Sequence, residues 1–96
     1  MLPLRWTDRA VFDLAGIAEF ISRTSAVYAE NVVARIDQRV QLLRAHPQLG
    51  KQAAEARDLD IRELVVESYR VFYRVNKDVI QIVAIVHGRQ QTPREL

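Results

Sequence analysis

The chain has no cysteine, and among its 96 residues there are only three glycines, three prolines and two lysines. Without cysteine it has no disulfides, thiolate metal sites or thiol nucleophile, which suits a reducing compartment. The glycines at 16, 50 and 88 are scattered, so no glycine-rich loop exists to cradle a phosphate. The two histidines, His46 and His87, cannot form an H-x-x-x-H pair, and Asp8, Asp13 and Glu19 have no partner at metal-ligand spacing. Neither a metal nor a cofactor is therefore expected. Ser22, Ser25 and Ser68 lack the context of a nucleophile elbow. No apolar run approaches the roughly 18 residues of a membrane span, and the N-terminus lacks a charged-then-apolar signal. The chain reads as a cytoplasmic protein with no membrane partner.

What is present is ordinary for a globular domain, 49% hydrophobic and 27% charged, and the whole of 1–96 reads as one domain. Net charge is only +2, yet the basic residues are almost all arginine, whose planar fork suits phosphate and carboxylate. Such a small net charge is no nucleic-acid footprint unless the arginines share a face.

Leu2 to Trp6 reads as a short strand that Pro3 confines to an edge or a strand start. Thr7 or Asp8 can cap a first helix, with Val11, Leu14, Ala18 and Ile21 on one face, Ile17 beside them, and an end near Arg23. Ser25 offers a second cap. After it Ala29, Val32, Val33, Ile36, Val40 and Leu43 keep helical period until Pro47. Residues 47–60 read as a loop. From 61 to 89 three runs rich in Val, Ile, Tyr and Phe are separated by Glu67-Ser68 and Asn76-Lys77-Asp78, the pattern of two hairpins. The last run, Val79 to Val86, is apolar at nearly every position and predicts a strand buried on both faces.

These elements predict an α+β fold: an N-terminal strand, a two-helix hairpin, then a three-stranded antiparallel β-meander packed on the helices. With two-residue turns at Glu67-Ser68 and Asn76-Lys77, Val66 pairs with Tyr69, Val75 with Asp78 and Val71 with Ile82. Leu64, Val66, Tyr69, Val71, Tyr73, Val75, Ile80, Ile82, Ala84 and Val86 then face the helices. Ile61, Glu63, Val65, Arg70, Phe72, Arg74, Gln81, Val83, Ile85 and His87 form an opposite face that one hairpin leaves open.

On that face Arg70, Phe72, Arg74 and His87 could grip RNA or an acidic protein segment. Cross-strand ion pairs with Glu63 are the plainer account. His87, followed by Gly88-Arg89-Gln90, could transfer a proton, although a lone histidine is more often structural. His46 suits a helix C-terminus.

The order of elements, with Trp6 and Asp13-Leu14 early, His46-Pro47-Gln48-Leu49-Gly50 after the second helix, Arg62-Glu63-Leu64, Tyr69 to Tyr73 and a closing Val86-His87-Gly88-Arg89, resembles the ParE/RelE superfamily of bacterial toxins. The resemblance covers almost the whole chain and its ParE-like branch is favoured. It implies a type II toxin neutralised by a cognate, ParD-like antitoxin with an acidic C-terminal segment, and a target in DNA gyrase, whose cleaved complex it would stabilise without doing bond chemistry. The alternatives are a ribosome-dependent mRNA endonuclease of the RelE type, or an antitoxin-binding module that has lost toxicity. For the nuclease the resemblance implies Arg62, His87 and Arg89, but Lys51 is alone where ribonucleases cluster lysines, and no tyrosine or histidine follows His87. For antitoxin or target contact the candidates are Arg70, Phe72, Arg74, Val83, Ile85, His87 and Arg89, with the segment Gly88 to Leu96.

Overall fold

A computed structural model describes residues 1–96 as β1 (Leu4–Trp6), α1 (Asp8–Ser22), α2 (Ala26–Leu42), β2 (Lys51–Gln52), β3 (Arg62–Val66), β4 (Tyr69–Asn76) and β5 (Val79–His87). Both helices begin at a hydroxyl that replaces a missing backbone acceptor. Thr7 Oγ1 accepts from the Ala10 N–H at 3.0 Å, and Ser25 Oγ accepts from the Tyr28 N–H at 3.1 Å. The second helix buries the periodic set Ala29, Val32, Ile36 and Val40, continued by Leu43. On α1 Ala10 is buried, and Leu14, Ile17 and Ile21, partly buried, continue its stripe against the core. Val11, expected in it, is 53% exposed, because the helix is rotated to set Ala10 against the sheet.

The strands form one five-stranded sheet in the order β1-β5-β4-β3-β2. The α+β order of the sequence reading holds, and β1 pairs with β5 in parallel at the edge. Pro3, which has no N–H to donate, accepts through its carbonyl from the Ile80 N–H at 2.9 Å. Within the stretch read as a loop, Lys51 and Gln52 pair with Glu63 and Arg62 as β2.

The first hairpin has the expected register, Val66 opposite Tyr69 and Leu64 opposite Val71. The second differs in two ways. Its turn is Lys77-Asp78, so Val75 pairs with Ile80 rather than Asp78, a two-residue slip that keeps every side chain on its face. Farther on, the register changes from Tyr73↔Ile82 to Phe72↔Ala84, which leaves Val83 as an extra residue in a bulge. Beyond it the faces are exchanged. Ile85 joins Val71 on the helix side, whereas Ala84 and Val86, expected there, sit with Phe72 on the other.

The reason for the bulge lies in α1. β1 covers β5 only over Ile80 to Ile82, and past that point the start of α1 supplies the edge partners. Thr7 donates through N to Ile82 O and through Oγ1 to Val83 O, both at 3.0 Å, and Asp13 Oδ2 accepts from the Ile85 N–H at 3.0 Å. Without these contacts the β5 edge would carry unpaired backbone groups under a helix.

The face expected to be open is covered. Ala53, Ala56, Ile61 and Leu96 close over Phe72, Ala84 and Val86 in a second core of seven residues, separate from the twelve-residue core beneath the helices. Short apolar residues in the loop and a leucine in the tail bury the surface for which the helical hairpin has no third element.

Candidate functional site

Tyr73 organises the end of the sheet nearest Pro47. Its buried hydroxyl donates to Pro47 O and accepts from the Gly50 N–H, each at 2.8 Å. Gly50 has to be glycine: a Cβ there would stand 2.7 Å from both Tyr73 Cε1 and Glu63 O. Arg62, cross-strand from Tyr73, donates to Gly50 O at 2.6 Å. Burial pushes the Tyr73 phenol above its ordinary pKa, opposed by the Gly50 hydrogen bond and the Arg62 charge. Pro47, Gly50, Arg62 and Tyr73 thus form a clamp holding the chain as it leaves α2. Arg62 also lines a polar cleft of about 480 Å³ with Gln52 and Asp60.

At the other end stand His87 and Arg89. His87 is exposed, with its ring edge-on to Tyr69 at 5.6 Å, and its Nδ1 accepts from the Arg89 N–H at 3.2 Å. Gln90 Oε1 accepts from the His87 N–H at 2.8 Å, so His87 starts a hydrogen-bonded turn. The exposed Arg89 guanidinium makes no ion pair. Arg62 is opposite Tyr73 whereas His87 is opposite Tyr69, an offset of four residues, or about 13 Å along the strands. The three residues implied for a nuclease do not converge.

The arginines of the middle sheet are occupied. Arg70 Nε and Nη2 donate to the two Glu63 carboxylate oxygens at 2.9 and 3.3 Å, and the Arg70 and Glu63 side chains are only 12% and 10% exposed. Arg70 also donates to Gln90 O and Thr92 Oγ1, each at 2.9 Å, and lies 4.9 Å over the Phe72 ring. Arg74 bridges to Asp58 at 3.0 Å, leaving its buried Nε without a partner. The ion pair expected with Glu63 is present, but its burial makes it a structural tie rather than a weak surface pair. Phe72 is fully buried and Ile85 is 3% exposed, so neither offers the apolar surface that simple alternation assigned to it. Val83 is half-buried against the second core. Of the seven contact candidates, His87 and Arg89 stand free.

Two residues that the sequence reading passed over stand beside them. Phe12 and Phe20 on α1 are 77% and 68% exposed and, with Tyr69 and His87, line a cleft of about 620 Å³. Large aromatics exposed on one helix face mark contact surface more often than chance. The signal was available: both fall outside the stripe of Ala10, Leu14, Ile17 and Ile21, on a face that should be polar.

The sequence model of the family described as "ParE toxin of type II toxin-antitoxin system, parDE" matches residues 4–92. The chain belongs to this family. It is a type II toxin-antitoxin system toxin of the ParE family. It is similar to the putative toxin Y4kP of Sinorhizobium fredii, 36% identical over 97% of this chain and 95% of that protein. It is also similar to toxin RelE2 of Caulobacter vibrioides, 32% identical over 92% of this chain and 97% of that protein. Among solved structures it is similar to a chain of the chromosomal ParDE TA system from P. aeruginosa, with TM-score 0.77, 26% identity, and coverage of 91% of this chain and 96% of that one. The ParE/RelE resemblance and the fold it implied are thereby established. In this family member the clamp around Tyr73 and the Arg70–Glu63 tie explain why Pro47, Gly50, Arg62 and the Tyr69-to-Tyr73 run occur together: they hold the sheet and its back cover in place.

Proposed function

We propose that this ParE-family toxin arrests growth by binding DNA gyrase and stabilising its cleaved complex, and that a cognate antitoxin neutralises it. The observation that carries this reading is the separation of Arg62 from His87 and Arg89. Cleaving RNA requires positive charge on the developing phosphate oxyanion and a proton-transfer group within reach of the same bond. His87 and Arg89 share one end of the sheet, but Arg62 stands about 13 Å along the strands from them, so the three-residue set implied for cleavage cannot assemble on one phosphate. A binding mechanism has no such requirement, because inhibition then follows from greater affinity for one state of the target.

The contact surface we assign is the exposed end of the sheet with α1: His87 and Arg89 from the original set, joined by Phe12 and Phe20. Two exposed aromatics beside unpaired basic groups suit a protein surface with apolar anchors and carboxylates. The similarity to a ParDE system supports an antitoxin as one such partner. Supercoiling by purified gyrase decides the target. Addition of the protein is expected to block supercoiling and accumulate cleaved DNA, with Phe12→Ser/Phe20→Ser weakening the effect at least tenfold. Unchanged gyrase activity together with transcripts cut during translation would instead establish the endonuclease.

A further inference from the structure

The second core covers the back of the sheet only as far as Phe72 and Ala84. The next cross-strand row on that face is Arg5, Gln81 and Arg74, one residue each from β1, β5 and β4. It is polar and partly open: Arg5 is exposed, and Gln81 and Arg74 are half-buried. Asn76, exposed on the same face of β4, extends it toward the turn. Arg5 makes no ion pair and no side-chain hydrogen bond. Arg74 meets Asp58 through Nη1 at 3.0 Å, while its buried Nε has no partner. Two more arginines stand on the chain that borders the row. Arg57 precedes Asp58, and Arg94 lies two residues before Leu96, whose carbonyl accepts from the Asp58 N–H. Both are exposed and neither makes an ion pair. Glu95 is taken by Arg9 at 2.6 Å, Asp60 lines the cleft beside Arg62, and Lys77 and Asp78 in the adjoining turn offset each other. Asp58 is then the carboxylate set against Arg5, Arg57, Arg74 and Arg94, so in a chain of net charge only +2 the arginines do share a face.

We propose that this row is a contact site for the sugar-phosphate backbone of duplex DNA. The chemistry of the row selects the ligand. An acidic protein segment would need apolar anchor pockets, and Arg5, Gln81, Arg74 and Asn76 offer none. Unpaired bases would need an aromatic platform to stack on, and this face presents no aromatic there. Phosphate contact asks only for fixed positive charge and hydrogen-bond donors, which the guanidinium groups and the Gln81 and Asn76 amides supply. A duplex is favoured over a single strand because it carries about twice the charge per unit length. Arg5 and Arg74 flank Gln81 across two strand spacings, about 10 Å, so they can engage neighbouring phosphates instead of competing for one. Such contacts are independent of sequence and position the protein without reading bases. About 20 Å of β5 separates Gln81 from His87, which sets this row apart from the surface formed by Phe12, Phe20, His87 and Arg89. The proposal stands whether or not gyrase is the target.

The test titrates a fluorescent 20-base-pair duplex with the full chain, without gyrase, and follows anisotropy at several salt concentrations. Affinity is expected to be equal for two unrelated sequences and to fall with salt at a log–log slope of about −3, as for three or four phosphates. Arg5→Glu should weaken binding about tenfold at low salt and make the slope shallower by about 1. Arg5 holds nothing in the fold, so retained NMR amide dispersion in this variant separates lost contact from lost folding. Asp58→Asn keeps an oxygen for Arg74 and for the Asp60 N–H but removes the opposing charge, and it should tighten binding, a gain that a purely structural bridge would not give. Amide shifts on adding the duplex should centre on residues 4–6, 74–76 and 79–82. No binding at low salt, a slope near zero, tighter binding of a single strand or of polyglutamate, shifts centred on His87 and Arg89, or indifference to Arg5→Glu would overturn the proposal.

Discussion

The two faces of the sheet are covered by different means. Beneath the helices twelve buried residues form an almost wholly aliphatic core, sealed by two capped helices whose backbone hydrogen bonds are internal. On the back, seven buried residues lie under irregular chain, and polar contacts hold that chain down: Arg70 to Glu63, Gln90 and Thr92, Arg74 to Asp58, and the Asp58 N–H to Leu96 O at 2.8 Å. A helix brings its own backbone partners and needs only an apolar stripe to dock. A loop cannot satisfy its backbone alone, so covering a sheet with one requires charged or polar side chains placed to hold it. In this chain the arginines most suggestive of a binding surface serve that purpose.

Substitutions on the two sides should separate these modes. Ile36→Ala, in the helix-side core, should cost about 2–5 kcal/mol and lower the denaturation midpoint of the whole molecule in one transition. Arg70→Ala should cost about 3 kcal/mol, because it leaves the nearly buried Glu63 carboxylate unpaired, but its signature is local. Hydrogen exchange and proteolysis should accelerate first in 53–61 and 90–96. Faster exchange throughout the helices at the same time would merge the two faces into one cooperative unit and end the distinction.

Gly50→Ala should cost about 1–3 kcal/mol by forcing a methyl against the Glu63 carbonyl and the Tyr73 ring, measured by urea denaturation. Tyr73→Phe should cost about 1–2 kcal/mol, since Pro47 O and the Gly50 N–H both lose their partner. It also carries a pH signature. The raised pKa favours the neutral phenol in the folded state, so its contribution is complete below the unfolded value of about 10 and declines as pH rises through the higher folded value. Stability of the parent protein should therefore fall above about pH 10 more steeply than that of Tyr73→Phe. The smallest expected effect is a gain: Lys77 sits at φ 57° in the turn, and Lys77→Gly should stabilise by about 1 kcal/mol, touching neither core.

Much of this could be read from residues alone. Thr7 and Ser25 as caps, the α2 stripe, the first hairpin register and the ParE/RelE kinship all rest on local patterns whose physical cause lies within a few residues. Less of the candidate site was legible. His87 and Arg89 remained exposed, but Phe72 and Ile85 were lost to the interior, and Phe12 and Phe20 had to be found in the folded chain.

The sequence by itself determined which segments are helix and which are strand, because periodicity, caps and breakers act over one or two turns. It also determined that Val79 to Val86 would be buried on both faces. That very property hid which residue faces which way: a strand apolar at nearly every position satisfies either parity, so alternation cannot choose between them. The tertiary structure made the choice through Thr7 and Asp13, which lie more than seventy residues earlier and bond the β5 edge at Ile82, Val83 and Ile85. From that bulge follow the side taken by Ala84, Ile85 and Val86, the second core, and the commitment of Arg70 to holding it closed.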